Sequence, residues 1–155
     1  MDAVQQLFQF AGGGVGLRGG DLAAGIFACF PRNYQRIHVG TAVTVLSSED
    51  PLRVFQRFST IDAISGGRAE VILGRGSFIE SFPLFGSDLR DYEVLFDEKL
   101  DLFARLRDEQ PVTWEGTTRA ALEGADVYPK TESGFPVWVG VGGTPSSVVR
   151  TARYG

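Results

Sequence analysis

This chain has a single cysteine, Cys29, and a single histidine, His38, in 155 residues. One cysteine cannot close an intrachain disulfide or supply a cysteine-rich zinc site. One histidine leaves little for a metal cluster or a nucleophile–histidine–acid triad, so no metal is expected. Positive charge is also in the minority. There are 15 Lys and Arg against 19 Asp and Glu, a net charge of −4. A nucleic-acid surface needs clustered Lys and Arg, so no nucleic-acid partner is expected. No apolar run approaches the ~18 residues of a membrane helix, so no membrane span is expected. The N-terminus has no basic stretch leading into an apolar one, which argues against a secretory signal and for a cytoplasmic location.

The residues that are present suit a globular domain. Hydrophobic residues make up 43% and charged residues 22%, enough apolar material for a core. The length fits one domain. Glycine is abundant, at 20 residues. Many glycines follow apolar β-branched runs, where α/β proteins bring backbone against a ligand or turn sharply.

Residues 1–35 read as a glycine-rich N-terminal segment, and residues 36–155 as a domain. In the first, Leu7 to Phe10 is short and apolar, Gly12 to Gly20 is too glycine-rich for a stable helix or strand, and Leu22 to Phe30 is apolar up to Pro31. From there the pattern sharpens. Ile37 to Leu46 reads as a buried strand. Asp50 suits a helix N-cap and Pro51 the first helical position. Val54, Phe55, Phe58, Ile61 and Ile64 then recur at helical spacing, and Gly66–Gly67 stops the helix. Ala69 to Leu73 is a second strand. Ser77 to Gly86 reads as an irregular loop. Asp88 or Asp91 caps a helix running through Arg107, with Tyr92, Leu95, Phe96, Phe103 and Leu106 on its apolar side. Residues 108–135 are rich in turns, with a short hairpin around Val112–Trp114. Pro136 to Val141 is a third strand. Thr144 and Pro145 open a last helix that runs to Gly155. Alternating strands and helices imply a parallel sheet with right-handed crossovers. No repeat of fixed period is present, which excludes a solenoid.

Parallel α/β folds hold ligands beyond the C-terminal ends of their strands. Three segments take that position: Thr44 to Ser48, Gly74 to Phe78 and Gly142 to Thr144. Arg75 stands between two glycines, and its guanidinium suits a phosphate or an anionic ring. The alternative is a salt bridge beside a turn. Gly142–Gly143–Thr144 leads into a helix N-terminus, where bare N–H groups favour an anion. The alternative there is a capped helix after a tight turn. Gly14 to Gly19 matches G-x-G-x-x-G in letters only, without a firm strand before it or a clear helix after it. A small nucleotide-binding domain would need both. His38 is expected within a strand, as a packing residue. Among carboxylates near apolar segments, Asp62 and Glu70 fall away from the ligand face, and Glu80 falls in a loop on it. The charges from Asp97 to Asp101 read as a solvated helix face.

In the order in which they occur, these segments resemble the luciferase-like, flavin-dependent monooxygenases. Arg36-Ile37-His38-Val39-Gly40-Thr41-Ala42-Val43-Thr44-Val45-Leu46, followed by Asp50–Pro51, is similar to the family's third strand and the loop after it. Asp62-Ala63-Ile64-Ser65-Gly66-Gly67-Arg68 is similar to its helix-end motif. Gly74–Arg75–Gly76, followed by Phe85–Gly86, is similar to the fourth strand and its loop. The stretch from Val137 to Pro145 is similar to the fifth strand and its phosphate-binding turn.

The resemblance implies an α/β fold, a partial (β/α)8 barrel made of the central βαβαβα units. It implies reduced flavin mononucleotide (FMN) as cofactor, or a deazaflavin as in some branches, with dioxygen oxidising a small organic substrate. It implies that Ala42 and Val43 form a bulge under the flavin ring, with a peptide bond that can be cis. By position, Arg75 contacts the flavin, Gly142, Gly143 and Thr144 finish the phosphate site, and Ser77 and Phe78 border the ring or substrate. Thr44 and Gly76 belong to the same strand ends. No catalytic side chain is implied, because the acidic residue and histidines that family members carry at the end of the second strand have no match here. Strands six to eight of a barrel of ~250 residues also have no counterpart in the sequence. A truncated barrel leaves strand edges unpaired, so a homo-oligomer is expected. A second reading follows from the same gaps: a non-catalytic barrel fragment that acts as an oligomerising interaction module.

Overall fold

The computed structural model describes residues 36–154. The segment of residues 1–35, with its glycine run, its G-x-G-x-x-G match and its apolar stretches, lies outside the described residues.

Strand β1 (Val39–Val45) is β-branched and glycine-containing, but it is shorter than the expected Ile37 to Leu46 and is not a buried strand: only Val39 and Thr44 are buried, because one face of the sheet is uncovered by the described residues. A short 3-10 turn (Leu46–Ser48) leads to Asp50, whose carboxylate accepts from the backbone N–H of Leu52 at 2.9 Å. Pro51 then opens helix α1 (Pro51–Ser65). Gly66 ends it with φ 70°, and the N–H groups of Gly66 and Gly67 both reach the Asp62 carbonyl. A left-handed residue there costs glycine nothing. Strand β2 (Ala69–Gly74) follows.

The loop after β2 is less irregular than its composition implies. Residues Ser81–Leu84 form a single-turn helix, α2, which buries Phe82. The Phe82 ring lies 5.3 Å from that of Tyr92, and this contact organises a stretch whose crowded phenylalanines hide any period. Asp88 caps a 3-10 turn (Leu89–Asp91), and helix α3 (Tyr92–Leu106) continues from it. Strands β3 (Val112–Trp114) and β4 (Leu122–Ala125) pair antiparallel as a hairpin of their own. Strand β5 (Val137–Val139) and helix α4 (Pro145–Ala152) complete the order. Helix α4 stops three residues short of Gly155.

The main sheet has the order β1-β2-β5, all parallel. Ala69, Val71 and Leu73 of β2 point towards the helices and are fully buried. They pack with Phe55, Phe58 and Ile61 of α1 and with Phe96, Leu100 and Phe103 of α3. The Phe55 and Phe103 rings meet edge to face at 6.4 Å. Truncating a buried phenylalanine of this kind to alanine costs roughly 3–5 kcal/mol. Ile64, the last apolar residue of the α1 pattern, is instead half exposed. On the other face of the sheet, Ala42, Ile72 and Trp138 stand side by side in register. Trp138 there is 57% exposed.

Two further sequence expectations change. His38 precedes β1 rather than lying within it, and it is exposed. The charges from Asp97 to Asp101 are not a free solvated face, since each has a partner. Glu98 accepts from the N–H groups of Thr117 and Thr118 at 2.8–2.9 Å. Burial opposes its charge, but these hydrogen bonds outweigh burial and hold its pKa below the ordinary value. Lys99 is buried and donates to the Ser47 carbonyl at 2.5 Å. Burial pushes its pKa down, against the pull of Asp50 and Glu49. Asp101 accepts from Arg105 and from Trp114 Nε1, both at 3.0 Å.

Candidate functional site

Because β1, β2 and β5 are neighbours and parallel, their C-terminal ends gather at one edge of the sheet. On β1 the register shifts between Ala42 and Thr44, and the Ala42–Val43 peptide is cis. Thr44 is buried, and its hydroxyl lies 2.6 Å from that of Thr41. The Val43 side chain leans over the neighbouring strand. A Cβ on Gly74 would come within 2.8 Å of Val43 Cγ2, and one on Gly140 within 3.7 Å of Val43 Cγ1. Gly74 therefore leaves room for the Val43 side chain of the bulge beside it.

Beyond Gly74 the chain turns at Gly76, where φ is 79° and a Cβ would meet Val45 Cγ1 at 2.6 Å. This turn raises Arg75 above the strand end. Its Nη1 donates to Glu93 at 2.5 Å, so the salt bridge allowed by the sequence is present. Its guanidinium also lies 5.2 Å from the centre of the Tyr92 ring. Its Nη2 points elsewhere, to within 3.6 Å of where a Cβ on Gly142 would stand. Arg75 and the turn after β5 are thus brought together.

That turn has no side chains at Gly142 and Gly143, and Gly143 has φ 79° with open space beside it. Thr144 stands at the N-cap of α4, but its hydroxyl lies against Ser146 Oγ at 3.2 Å and bonds no backbone N–H of the first turn. The first turn is closed instead by Ser147, whose N–H and hydroxyl both donate to the Thr144 carbonyl. Ser77 and Phe78 lie exposed on the loop to α2, with the Phe78 carbonyl engaged by Ser81. Glu80 is exposed at the start of α2 and makes no capping bond.

Sequence reasoning missed four residues. Tyr92 donates to the Gly76 carbonyl at 2.7 Å and supports both the turn and the Arg75 guanidinium. Glu93 bridges Arg75 and Arg150, the latter at 2.5 Å. Asp97 pairs with Nε of Arg150. No local pattern announces these contacts, because Glu93 and Arg150 are 57 residues apart. A separate cleft of about 680 Å³, lined by Phe55, Arg105, Phe135 and Tyr154 among others, opens at the N-terminal end of β5. It shares no residue with the strand-end cluster.

An anionic group fits the strand-end arrangement. A guanidinium edge faces a glycine turn that carries no Cβ and leads into a helix N-terminus, and each feature favours negative charge. Above it, the bulge of β1 offers Ala42 and Val43 as an apolar shelf, with Val43 44% exposed. Among the described residues, no group of His, Cys, Asp and Glu could hold a metal ion.

Parallel strands, intervening helices and a glycine-and-arginine cluster at the strand C-termini place the chain in the α/β class that holds ligands at that end. The model of the luciferase-like monooxygenase family matches residues 34–155, and the chain belongs to that family. It is 30% identical to 4-hydroxyprotoasukamycin monooxygenase of Streptomyces nodosus subsp. asukaensis, over 78% of this chain and 33% of that protein. It is also 30% identical to the F420-dependent glucose-6-phosphate dehydrogenase of Kineococcus radiotolerans, over 70% of this chain and 33% of that one. In structure it is similar to monooxygenase RslO1 from Streptomyces bottropensis, with TM-score 0.76, 26% identity, and coverage of 84% of this chain and 40% of that chain. It also shares the fold of the oxygenating constituent of 3,6-diketocamphane monooxygenase from Pseudomonas putida, a structure in complex with FMN (TM-score 0.62, 16% identity, 75% of this chain and 36% of that one). The chain spans about a third of the length of the curated relatives it matches. The fold is thus a part of the luciferase-like α/β barrel.

Proposed function

We propose that this chain forms the cofactor side of a flavin-dependent oxidoreductase site. The observation that carries this reading is the Arg75 guanidinium, which faces the side-chain-free turn Gly142–Gly143 at the mouth of α4. In this reading Arg75, Gly142, Gly143 and Thr144 bind the flavin phosphate. Ala42, Val43 and Thr44 lie under the ring, Gly76 shapes the turn, and Ser77 and Phe78 border ring or substrate. Bound reduced FMN supplies the electrons with which dioxygen oxidises a small organic substrate. The chain's own residues bind the phosphate, orient the ring and keep one face of it dry. The F420-dependent relative makes the deazaflavin the comparison to run. Titration with FMN, followed by quenching of flavin fluorescence, tests the reading. Saturable binding supports it, and no quenching at high micromolar protein removes it.

A second reading is favoured by one observation. The sheet face carrying Ala42, Ile72 and Trp138 is uncovered by the described residues. A non-catalytic fragment would use such a face to bind another copy of itself. Sedimentation as a clean monomer contradicts that role.

A further inference from the structure

The cluster around Glu93 is built asymmetrically. Its carboxylate receives Arg75 Nη1 on Oε1 and Arg150 Nη2 on Oε2, each at 2.5 Å. Two guanidinium groups thus converge on the two oxygens of one anion. A phosphate presents a pair of oxygens of nearly the same width, and arginine binds the two groups with the same donor geometry.

Each arginine has a hold besides Glu93. Arg75 is stacked on the Tyr92 ring, and Tyr92 is itself tied to the Gly76 carbonyl. Arg150 is held through Nε by Asp97, and its guanidinium lies 5.7 Å from the centre of the Phe96 ring. Accordingly, the Arg75 and Arg150 side chains are only 19% and 12% exposed. Glu93 is 57% exposed and sits in the first turn of α3, where its side chain can swing to solvent. The fixed part of the cluster is the pair of cations, and the displaceable part is the carboxylate.

We propose that Arg75 and Arg150 form a two-arginine seat for a phosphate group, and that the Glu93 carboxylate is its internal competitor. Arg150 is then a second phosphate ligand, brought beside Arg75 by the fold alone. The identification of that phosphate as the FMN phosphate rests on the flavin reading above. The seat itself does not. Glu93 is the specificity device: an anion takes the seat only if it outcompetes a tethered carboxylate. A phosphate monoester, with up to two charges, does so better than a singly charged carboxylate or diester.

The test measures the affinity of the full chain for inorganic phosphate, FMN and riboflavin, which lacks the phosphate, by calorimetry. The variants are Glu93→Gln, Arg150→Ala and Arg150→Lys. Removing the competitor in Glu93→Gln tightens inorganic phosphate and FMN about tenfold, the effect of one charge-assisted hydrogen bond, and leaves riboflavin unchanged. Arg150→Ala weakens both phosphate-bearing probes by a similar factor, again sparing riboflavin. If Arg150→Ala loses its far-ultraviolet circular dichroism, Arg150→Lys carries the test, with a smaller loss in the same direction. Glu93→Gln that weakens phosphate, or an Arg150 variant that weakens riboflavin as much as FMN, overturns the proposal. Inorganic phosphate that binds in the expected order while neither flavin binds leaves the seat standing and removes the flavin reading. Failure of phosphate to bind both wild type and Glu93→Gln removes the seat.

Discussion

The hydroxyl of Tyr92 donates to the carbonyl of Gly76 at 2.7 Å, which pins the first residue of α3 to the turn after β2. The ring that carries this hydroxyl also supports the Arg75 guanidinium. Tyr92→Phe keeps the ring and removes the bond. The expected result is a loss of about 1 kcal/mol in stability and a weakening of FMN binding of a few fold, with riboflavin spared. Urea unfolding and flavin titration check this. Equal losses for both flavins contradict it.

Gly74→Ala tests the shelf. The new Cβ would press on Val43 Cγ2, a side-chain methyl that can shift. The fold should survive with a cost of roughly 1–3 kcal/mol, while FMN and riboflavin both bind more weakly, because the ring loses its support. Adding Val43→Ala makes room for the new methyl and should recover part of the lost stability. Additive losses in the double variant contradict the contact.

Asp50 holds two things at once. It accepts from Leu52 N at the start of α1, and its second oxygen receives Arg119 Nε at 3.1 Å. Asp50→Ala should cost about 1–2 kcal/mol through the lost cap. Asp50→Asn keeps the cap but loses the ion pair, and it should cost less. Denaturation midpoints of the two variants decide the order.

Asp62 gives a pH dependence. It is buried in the last turn of α1 and accepts from Ala69 N at 3.3 Å. Burial raises its pKa above the ordinary 3.8, only partly offset by that hydrogen bond. A raised carboxyl pKa means that the folded state holds the proton more tightly than the unfolded chain. Its contribution to stability is therefore full below pH 3.8 and is lost as pH rises through the folded value. Asp62→Asn keeps an acceptor and removes the charge. Its stability relative to wild type should rise from pH 4 to pH 7. A relative stability that falls over this range contradicts the assignment.

Local signals carried the fold a long way. Asp50–Pro51 and Gly66–Gly67 mark the two ends of α1 because capping and left-handed turns are chemistry of neighbouring residues. Gly74–Arg75–Gly76 and Gly142–Gly143 stand out for the same reason, and the parallel order follows from alternation. What was not legible depends on pairs distant in sequence. Glu93 and Arg150 lie on different helices, and a charge on an amphipathic helix looks the same whether it meets water or a guanidinium. Lys99 and Glu98 were misread on that account. The helix Ser81–Leu84 was missed because four residues are too few to show a period.

The most direct measurement is the binding of FMN and riboflavin to wild type and to Arg75→Ala, followed by fluorescence quenching. The account predicts that wild type binds FMN more tightly than riboflavin, and that Arg75→Ala erases this preference by weakening FMN at least about tenfold. Equal affinity of wild type for the two flavins, or an Arg75→Ala variant that keeps the preference, contradicts it.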